Sequence, residues 1–180
     1  MIVCLDTETT GLDSEHDEIL QISMVDGDGK TLLNVYTKPE HVKTWPDAEA
    51  VNHISPERVA DCKPAGDYAR EVLRLLDEAD TIVGYNTFFD LGFLAAAADL
   101  DGIKEEWIEK SDDVMQKFAV VCGEWSDFYG DYKYQKLTTC AAAYGYKWPG
   151  GPHDSLQDAL ATLYCWPKVC EDYEKVMSGK

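Results

Sequence analysis

Apolar and polar positions alternate in blocks that change period along the chain. Residues 2–6 form a short apolar run ending in an acid, and residues 19–25 and 31–36 continue with β-branched and apolar side chains. Between the latter two lies Asp26-Gly27-Asp28-Gly29, a hairpin turn signal, so three opening strands are predicted, the second and third antiparallel. Residues 38–64 are punctuated by Pro39, Pro46, Pro56 and Pro64 and leave room only for short helices. Within residues 65–79, Tyr68, Val72, Leu75, Leu76 and Ala79 recur at helical spacing. A compact strand at 81–85 follows, then helices over 90–100, 112–125 and 135–144. The last long helix is predicted to start near Asp154 or Ser155, both good caps, and to kink or end at Pro167. Strands first, then helices mixed with strand, indicate an α/β domain with a mixed sheet.

With 180 residues, 45% of them hydrophobic, and no repeat or low-complexity linker, the chain reads as a single domain over 1–180 with one sizeable core. Apolar runs such as that at Ala95–Ala98 are bounded by Asp90 and Asp99, far short of the roughly 20 residues that cross a bilayer, so no membrane partner is expected. The N-terminus has no basic segment and reaches Asp6 quickly, which argues against a signal peptide. Six scattered cysteines lack zinc spacing and read as reduced thiols, and hence as a cytoplasmic protein. Charge is the feature that changes the picture. Asp and Glu number 34 against 16 Lys and Arg, a net charge of −18. Such a chain repels polyanions at long range, which excludes a general nucleic-acid coating role. An enzyme that brings divalent cations to a phosphate escapes that objection locally.

Three segments carry candidate chemistry. In Asp6-Thr7-Glu8-Thr9-Thr10-Gly11, strand alternation points Asp6 and Glu8 the same way. Two such carboxylates repel each other, and a divalent cation with its preference for oxygen removes the penalty. Gly11 is expected to allow a ligand close to the backbone. The plain alternative is a strand ending in a polar turn. In Val83-Gly84-Tyr85-Asn86-Thr87-Phe88-Phe89-Asp90 a strand ends and a helix opens with an acid in its first turn, where the helix dipole alone favours Asp. In the third, His153 and Asp158 are five residues apart. A continuous helix would rotate them apart by roughly 140°. Both can face one cavity only if His153 sits in the loop before the helix. Otherwise it is a solvent-exposed histidine at a helix start.

Taken in order, these segments resemble the DEDDh group of 3′–5′ exonucleases, which includes polymerase proofreading subunits and RNA-trimming enzymes. D-x-E-T-T-G appears as Asp6, Glu8, Thr9, Thr10 and Gly11, and N-x-x-F-D-x-x-F-L as Asn86, Phe89, Asp90, Phe93 and Leu94. H-x-x-x-x-D-A appears as His153, Asp158 and Ala159. Softer similarities are Asn52-His53-Ile54-Ser55 and Lys136-Leu137-Thr138. The resemblance implies a ribonuclease H-like mixed β-sheet flanked by helices and a two-metal mechanism with Mg²⁺ or Mn²⁺. By the same resemblance Asp6, Glu8 and Asp158 hold one ion, Asp6 bridges to the second, and Asp90 supports the second directly or through water. Such ions sit about 3.5–4 Å apart. His153 is then the general base. Thr9, Gly11, Leu12, His53, Ile54, Asn86 and Phe89 are the implied substrate contacts, with ordinary core packing the plain alternative for Leu12, Ile54 and Phe89, and an equal one for Phe89.

The function expected is release of nucleoside monophosphates from the 3′ end of single-stranded nucleic acid, DNA being favoured and RNA also open. Two other readings stand beside it: a noncatalytic interaction module or polymerase accessory subunit of the same fold, and a phosphodiesterase for very short oligomers. A polymerase or another protein remains open as a partner. A chain that stops soon after Pro167 leaves no tail for docking to a polymerase, which weakens the proofreading reading. Trp45, Trp107, Trp125, Tyr129 and Tyr132 could stack on bases or pack internally. The acidic, aromatic stretch 124–134 matches no role in the family.

Overall fold

The computed structural model describes residues 1–128 and 130–179. Strands β1 (Ile2–Thr9), β2 (Ile19–Asp26) and β3 (Thr31–Tyr36) form an antiparallel meander. The β2–β3 turn closes on Asp26, whose Oδ1 accepts from the Asp28 and Lys30 N–H groups, while Gly29 takes a left-handed φ of 80°. On the other side of β1, β4 (Thr81–Gly84) and β5 (Ser111–Asp113) run parallel to it, giving a five-stranded mixed sheet in the order β3-β2-β1-β4-β5.

Helices cover both faces. Strand alternation sends Val3 and Leu5 to one core, shared with Leu75 and Leu76 of α3 (Ala69–Glu78), Leu91 and Leu94 of α4 (Thr87–Ala97) and Trp107 of α5 (Glu105–Lys110). Cys4 goes to the opposite core with Phe118 of α6 (Val114–Cys122), Cys140 of α7 (Leu137–Ala143) and Ala159, Cys165 and Val169 of α8 (Ser155–Ser178). A third cluster, Leu20, Trp45, Ile54 and Val59, seats the short helices α1 (Pro46–Asn52) and α2 (Pro56–Val59). A small hairpin, β6 (Trp125–Ser126) and β7 (Asp131–Tyr132), precedes α7. Among the described residues no helix is long and apolar enough to cross a membrane.

The observed elements depart from the expected ones at definite places. Residues 65–79 begin as a 3₁₀ turn at Ala65–Tyr68 before α3. The helix expected over 90–100 runs from Thr87 to Ala97. The segment expected as one helix over 112–125 is split. Asp113 ends β5 and caps α6, accepting from the N–H groups of Met115 and Gln116, so the helix starts at Val114, and Trp125 belongs to β6. Pro167 does not end α8, which continues to Ser178. Buried Cys165 and Val169 hold it against the sheet on either side of the proline, and Lys168 Nζ donates to the Tyr164 carbonyl at 2.9 Å. Trp45 and Trp107 are core residues, each with its indole N–H satisfied internally, by the Ile54 carbonyl and by Asp77. Neither offers a face to a base. Trp125 is half exposed, edge-on to Tyr132 at 5.3 Å, and Tyr129 lies outside the described residues.

Candidate active site

The site forms where β1 ends between two helices. The Glu8–Thr9 step carries a register shift against β2, a bulge that bends the strand end beside its acids. Asp6 and Glu8 lie on the same side of β1 as Cys4, the side α8 covers. Asp158, one turn into α8, meets them there, and one oxygen from each of the three carboxylates lies within 4.8 Å of the others. Thr7 points the opposite way, toward α4, where Asp90 Oδ1 accepts from both its N–H at 2.8 Å and its hydroxyl at 2.7 Å. Asp90 is thus buried at the rim of the cluster, close enough to act on Asp6 and Glu8 electrostatically but outside the group of three.

Burial and mutual repulsion disturb all four acids. Asp6 is held well above the ordinary carboxylate range, first by burial and then by the charges of Asp90, Asp158 and Glu8. Glu8 is raised to about 8 by burial, then by Asp158 and Asp90. Asp90 and Asp158 are each raised to about 7, burial again being the largest cause. Asp158 Oδ1 is shielded from solvent with no hydrogen-bond partner among the described residues. Clustered hard oxygens, one of them orphaned, and carboxylates that resist ionisation are the donor set a divalent cation satisfies.

A stability consequence follows from these shifts. The folded values lie above the ~4 of an unfolded carboxylate, so between those limits the native state holds protons that the unfolded chain has released. The associated stability is complete below about pH 4 and is lost as pH rises through 7–8. In chelator, the melting temperature is expected to fall between pH 5 and pH 8.5, with Mn²⁺ restoring most at the alkaline end. A melting temperature that rises over that range in chelator would contradict the clustered charges.

His153 does precede α8. Its backbone is left-handed (φ 67°), and its N–H donates to Asp158 Oδ2 at 3.2 Å. The exposed imidazole is pushed below its ordinary value, chiefly by partial burial and then by the positive charges of His53 and Lys136. Asp154 caps α8, accepting from Gln157 N–H. A second acidic group, Asp13, Glu15 and His16, also has ligand-type spacing, but it is exposed and Asp13 already bonds His16 at 2.9 Å.

A cavity of about 550 Å³ runs along the strand end, lined by residues 7–12, by Asp47, Ala48, Val51 and Asn52 of α1, and by Phe89 of α4. Thr9, Gly11, Leu12 and Phe89 therefore share one space. Leu12 is 86% exposed at its rim, and Phe89 tilts against Phe93 with centroids 4.9 Å apart. The other expected contacts lie elsewhere. Ile54 is buried in the third core cluster, which corrects the expectation that it faces a nucleotide: its apolar side chain fills the space between Leu20, Trp45 and Val59. His53 ends α1 with a left-handed φ of 57°, its charge felt by His153. Asn86, also left-handed, donates its N–H to Asp113 Oδ1 at 3.2 Å and shapes the turn into α4. Neither lines the cavity.

Gly11, besides lining the cavity, leaves room for a neighbouring side chain. A β-carbon there would sit 2.3 Å from Asp17 Oδ2, so it is this carboxylate that approaches the glycine closely. Asp17 in turn accepts from the Thr10 hydroxyl and the Asp13 N–H, closing the loop after β1. Gly11→Ala is expected to destabilise the fold by about 1–3 kcal/mol, as overpacking does, measured by denaturant midpoint. An unchanged midpoint would show that the loop shifts freely.

Two supporting residues carried no assigned role in the sequence. Asn52 donates to the Thr9 carbonyl at 3.3 Å, accepts from Ile54 N–H at 3.0 Å, and hydrogen-bonds Glu8. Asp113 accepts from four backbone N–H groups, those of Asn86, Thr87, Met115 and Gln116, and so ties β5 to the start of the helix that bears Asp90. Asn52 opens the Asn52-His53-Ile54-Ser55 similarity, in which only His53 and Ile54 carry an implied contact role. Nothing in the letters separates Asp113 from Asp112.

Comparison with known proteins gives this site its context. Residues 3–165 match the exonuclease family RNase_T. The uncharacterized exonuclease CP81 of Escherichia phage 186 is 32% identical over 167 residues, covering 89% of this chain and 84% of its own. The DNA polymerase III subunit epsilon of Treponema pallidum is 30% identical over 102 residues, 53% of this chain and 45% of its own. Among solved structures, the zinc-bound complex of Escherichia coli exonuclease I with single-stranded DNA superposes with a TM-score of 0.77 at 17% identity, over 99% of this chain but 42% of that one. Exonuclease X bound to 5′-overhanging duplex DNA gives 0.63 at 21% identity, over 100% of this chain and 94% of that one. The chain thus spans less than half of exonuclease I and most of exonuclease X, and the two share its fold. By its match over residues 3–165 and its identity with the phage protein, this chain belongs to the RNase_T exonuclease family, metal-dependent nucleases, here on a ribonuclease H-like sheet.

Proposed function

We propose that the protein removes nucleoside monophosphates one at a time from the 3′ end of single-stranded nucleic acid, DNA in preference to RNA. The observation that carries this reading is the convergence of Asp6, Glu8 and Asp158 within 4.8 Å, with the His153 turn hydrogen-bonded to the last of them. Asp6, Glu8 and Asp158 fit one Mg²⁺ or Mn²⁺. Asp90, whose Oδ1 is engaged by Thr7, has its other oxygen to offer a second. Bound ions would supply charge neutralisation at the attacking and leaving oxygens of an in-line displacement.

The chain's own residues do the rest. Neutral His153 accepts the proton of the attacking water, and its depressed basicity keeps it unprotonated at pH 7. The cavity walls formed by Leu12, Val51 and Phe89 give the terminal base an apolar seat, and Thr9 and Gly11 present the strand end beside it. The net charge of −18 leaves little general affinity for a polyanion, so binding concentrates at the cation site. DNA as substrate is supported by the single-stranded DNA seen with exonuclease I, and a polymerase partner by the similarity to the epsilon subunit. Six free thiols suit the reducing cytoplasm.

Matched 3′- and 5′-labelled single strands, incubated with Mn²⁺, test polarity directly. The 3′ label should appear at once as mononucleotide while the 5′-labelled strand shortens stepwise. Immediate release of the 5′ label as mononucleotide, or no metal-dependent loss of either, would overturn the reading.

A further inference from the structure

His153 holds a left-handed backbone that a β-carbon disfavours, so its surroundings must fix it. They do so through the next residue. Asp154 is anchored to its helix by Gln157 N–H at 3.2 Å, and its Oδ2 accepts from two side chains of the sheet, Gln21 Nε2 at 3.3 Å and the Tyr36 hydroxyl at 3.2 Å. The Tyr36 oxygen accepts in turn from Arg58 Nη2, and the Arg58 guanidinium lies 4.3 Å above the Tyr36 ring centroid. A polar strut therefore runs from α2 through β3 to the turn that carries the imidazole.

The fold does not depend on the outer half of this strut. Buried Gln21 also accepts from Ser155 N–H at 3.3 Å, and Ser23 and Ser155 share a hydroxyl bond of 2.7 Å, so the start of α8 is already fastened to β2 from within. Tyr36 and Arg58 add a second restraint on Asp154 alone, from the solvent side, adjacent in sequence to His153. A charge-assisted donor behind the tyrosine hydroxyl strengthens its bond to the carboxylate. Without it, Asp154 keeps its cap and the Gln21 Nε2 donor, but its Oδ2 loses the tyrosine, and the peptide that joins it to His153 is held less firmly.

We infer that Tyr36 and Arg58 are positioning residues for His153, acting through Asp154 to hold its turn over the carboxylates. This rests on His153 being the general base. Misplacement of a proton acceptor slows the chemical step and leaves the binding of substrate and cation alone.

The test is a double-mutant cycle on a single-stranded DNA oligonucleotide. Tyr36→Phe keeps the ring and removes the hydroxyl. It should lower kcat about 5- to 10-fold, leaving KM and the Mn²⁺ affinity measured by calorimetry unchanged. Arg58→Ala should act in the same direction, and Arg58→Lys should recover part of the loss. In a His153→Ala background, Tyr36→Phe should cause no further loss, because the group it positions is gone. An equal loss in that background, or a change in KM or Mn²⁺ affinity at constant kcat, would overturn the inference. His153→Ala turning over at the parental rate would instead remove the general base itself, a result separable from failure of the strut.

Discussion

Asp6→Asn is expected to cut turnover of single-stranded DNA by roughly 10³-fold or more while the protein stays folded. Asp6 faces Glu8 and Asp158 from the centre of the sheet, and its carboxyl is held well above the ordinary carboxylate range by burial and then by the neighbouring acids Asp90, Asp158 and Glu8. The amide keeps the size of the side chain and removes the charge that a cation would neutralise. Several kcal/mol of transition-state stabilisation depend on that neutralisation, and each 1.4 kcal/mol or so is tenfold in rate. The same substitution relieves repulsion among the remaining carboxylates, so in chelator the variant should melt no lower than the parent, and higher near pH 8. Turnover and melting temperature measured on one preparation separate the two effects. Loss of both together would assign the residue to folding.

His153→Ala is expected to slow hydrolysis by roughly 10²–10⁴-fold, the range for a positioned general base. The imidazole is exposed and contributes no core packing, so the fold should be unaffected. Its sign with pH is fixed by the direction of its shift. A base works unprotonated, and partial burial with the charges of His53 and Lys136 pushes the ring below its ordinary ~6.5. Parental kcat should therefore hold level through neutrality and fall only as pH drops below about 6.5. That acid limb should vanish from the variant. A kcat profile from pH 5 to 9 reads both features, and near-parental turnover would remove His153 from the mechanism.

Much of this was legible in the letters because short-range physics governs it. Period-2 alternation placed Asp6 and Glu8 on one face, and a capping acid after His153 started the last helix where the geometry needs it. Other features depend on tertiary partners that no window of sequence contains. Asp112-Asp113 reads as a polar helix start, yet parallel pairing with β4 makes it a strand. Pro167 carries a local penalty that buried neighbours on both sides offset. Ile54 and Trp45 lie in a proline-rich stretch whose letters leave contact with a nucleotide and core packing both open, and the third cluster decides for packing under α1. The closeness of Asp17 to Gly11 likewise depends on a loop contact that the motif does not announce. The strut behind His153 joins Tyr36 to Asp154, 118 positions on, and Arg58 to Tyr36, 22 positions apart, and its members have no pattern of their own.

Manganese offers the most direct test of the shared-cation site, because its anomalous scattering locates the ion in a crystal without reference to activity. Crystals soaked in Mn²⁺ should show a peak among the oxygens of Asp6, Glu8 and Asp158, and a second beside Asp90. Peaks confined to the exposed Asp13, Glu15 and His16 group, with none at the strand end, would contradict it.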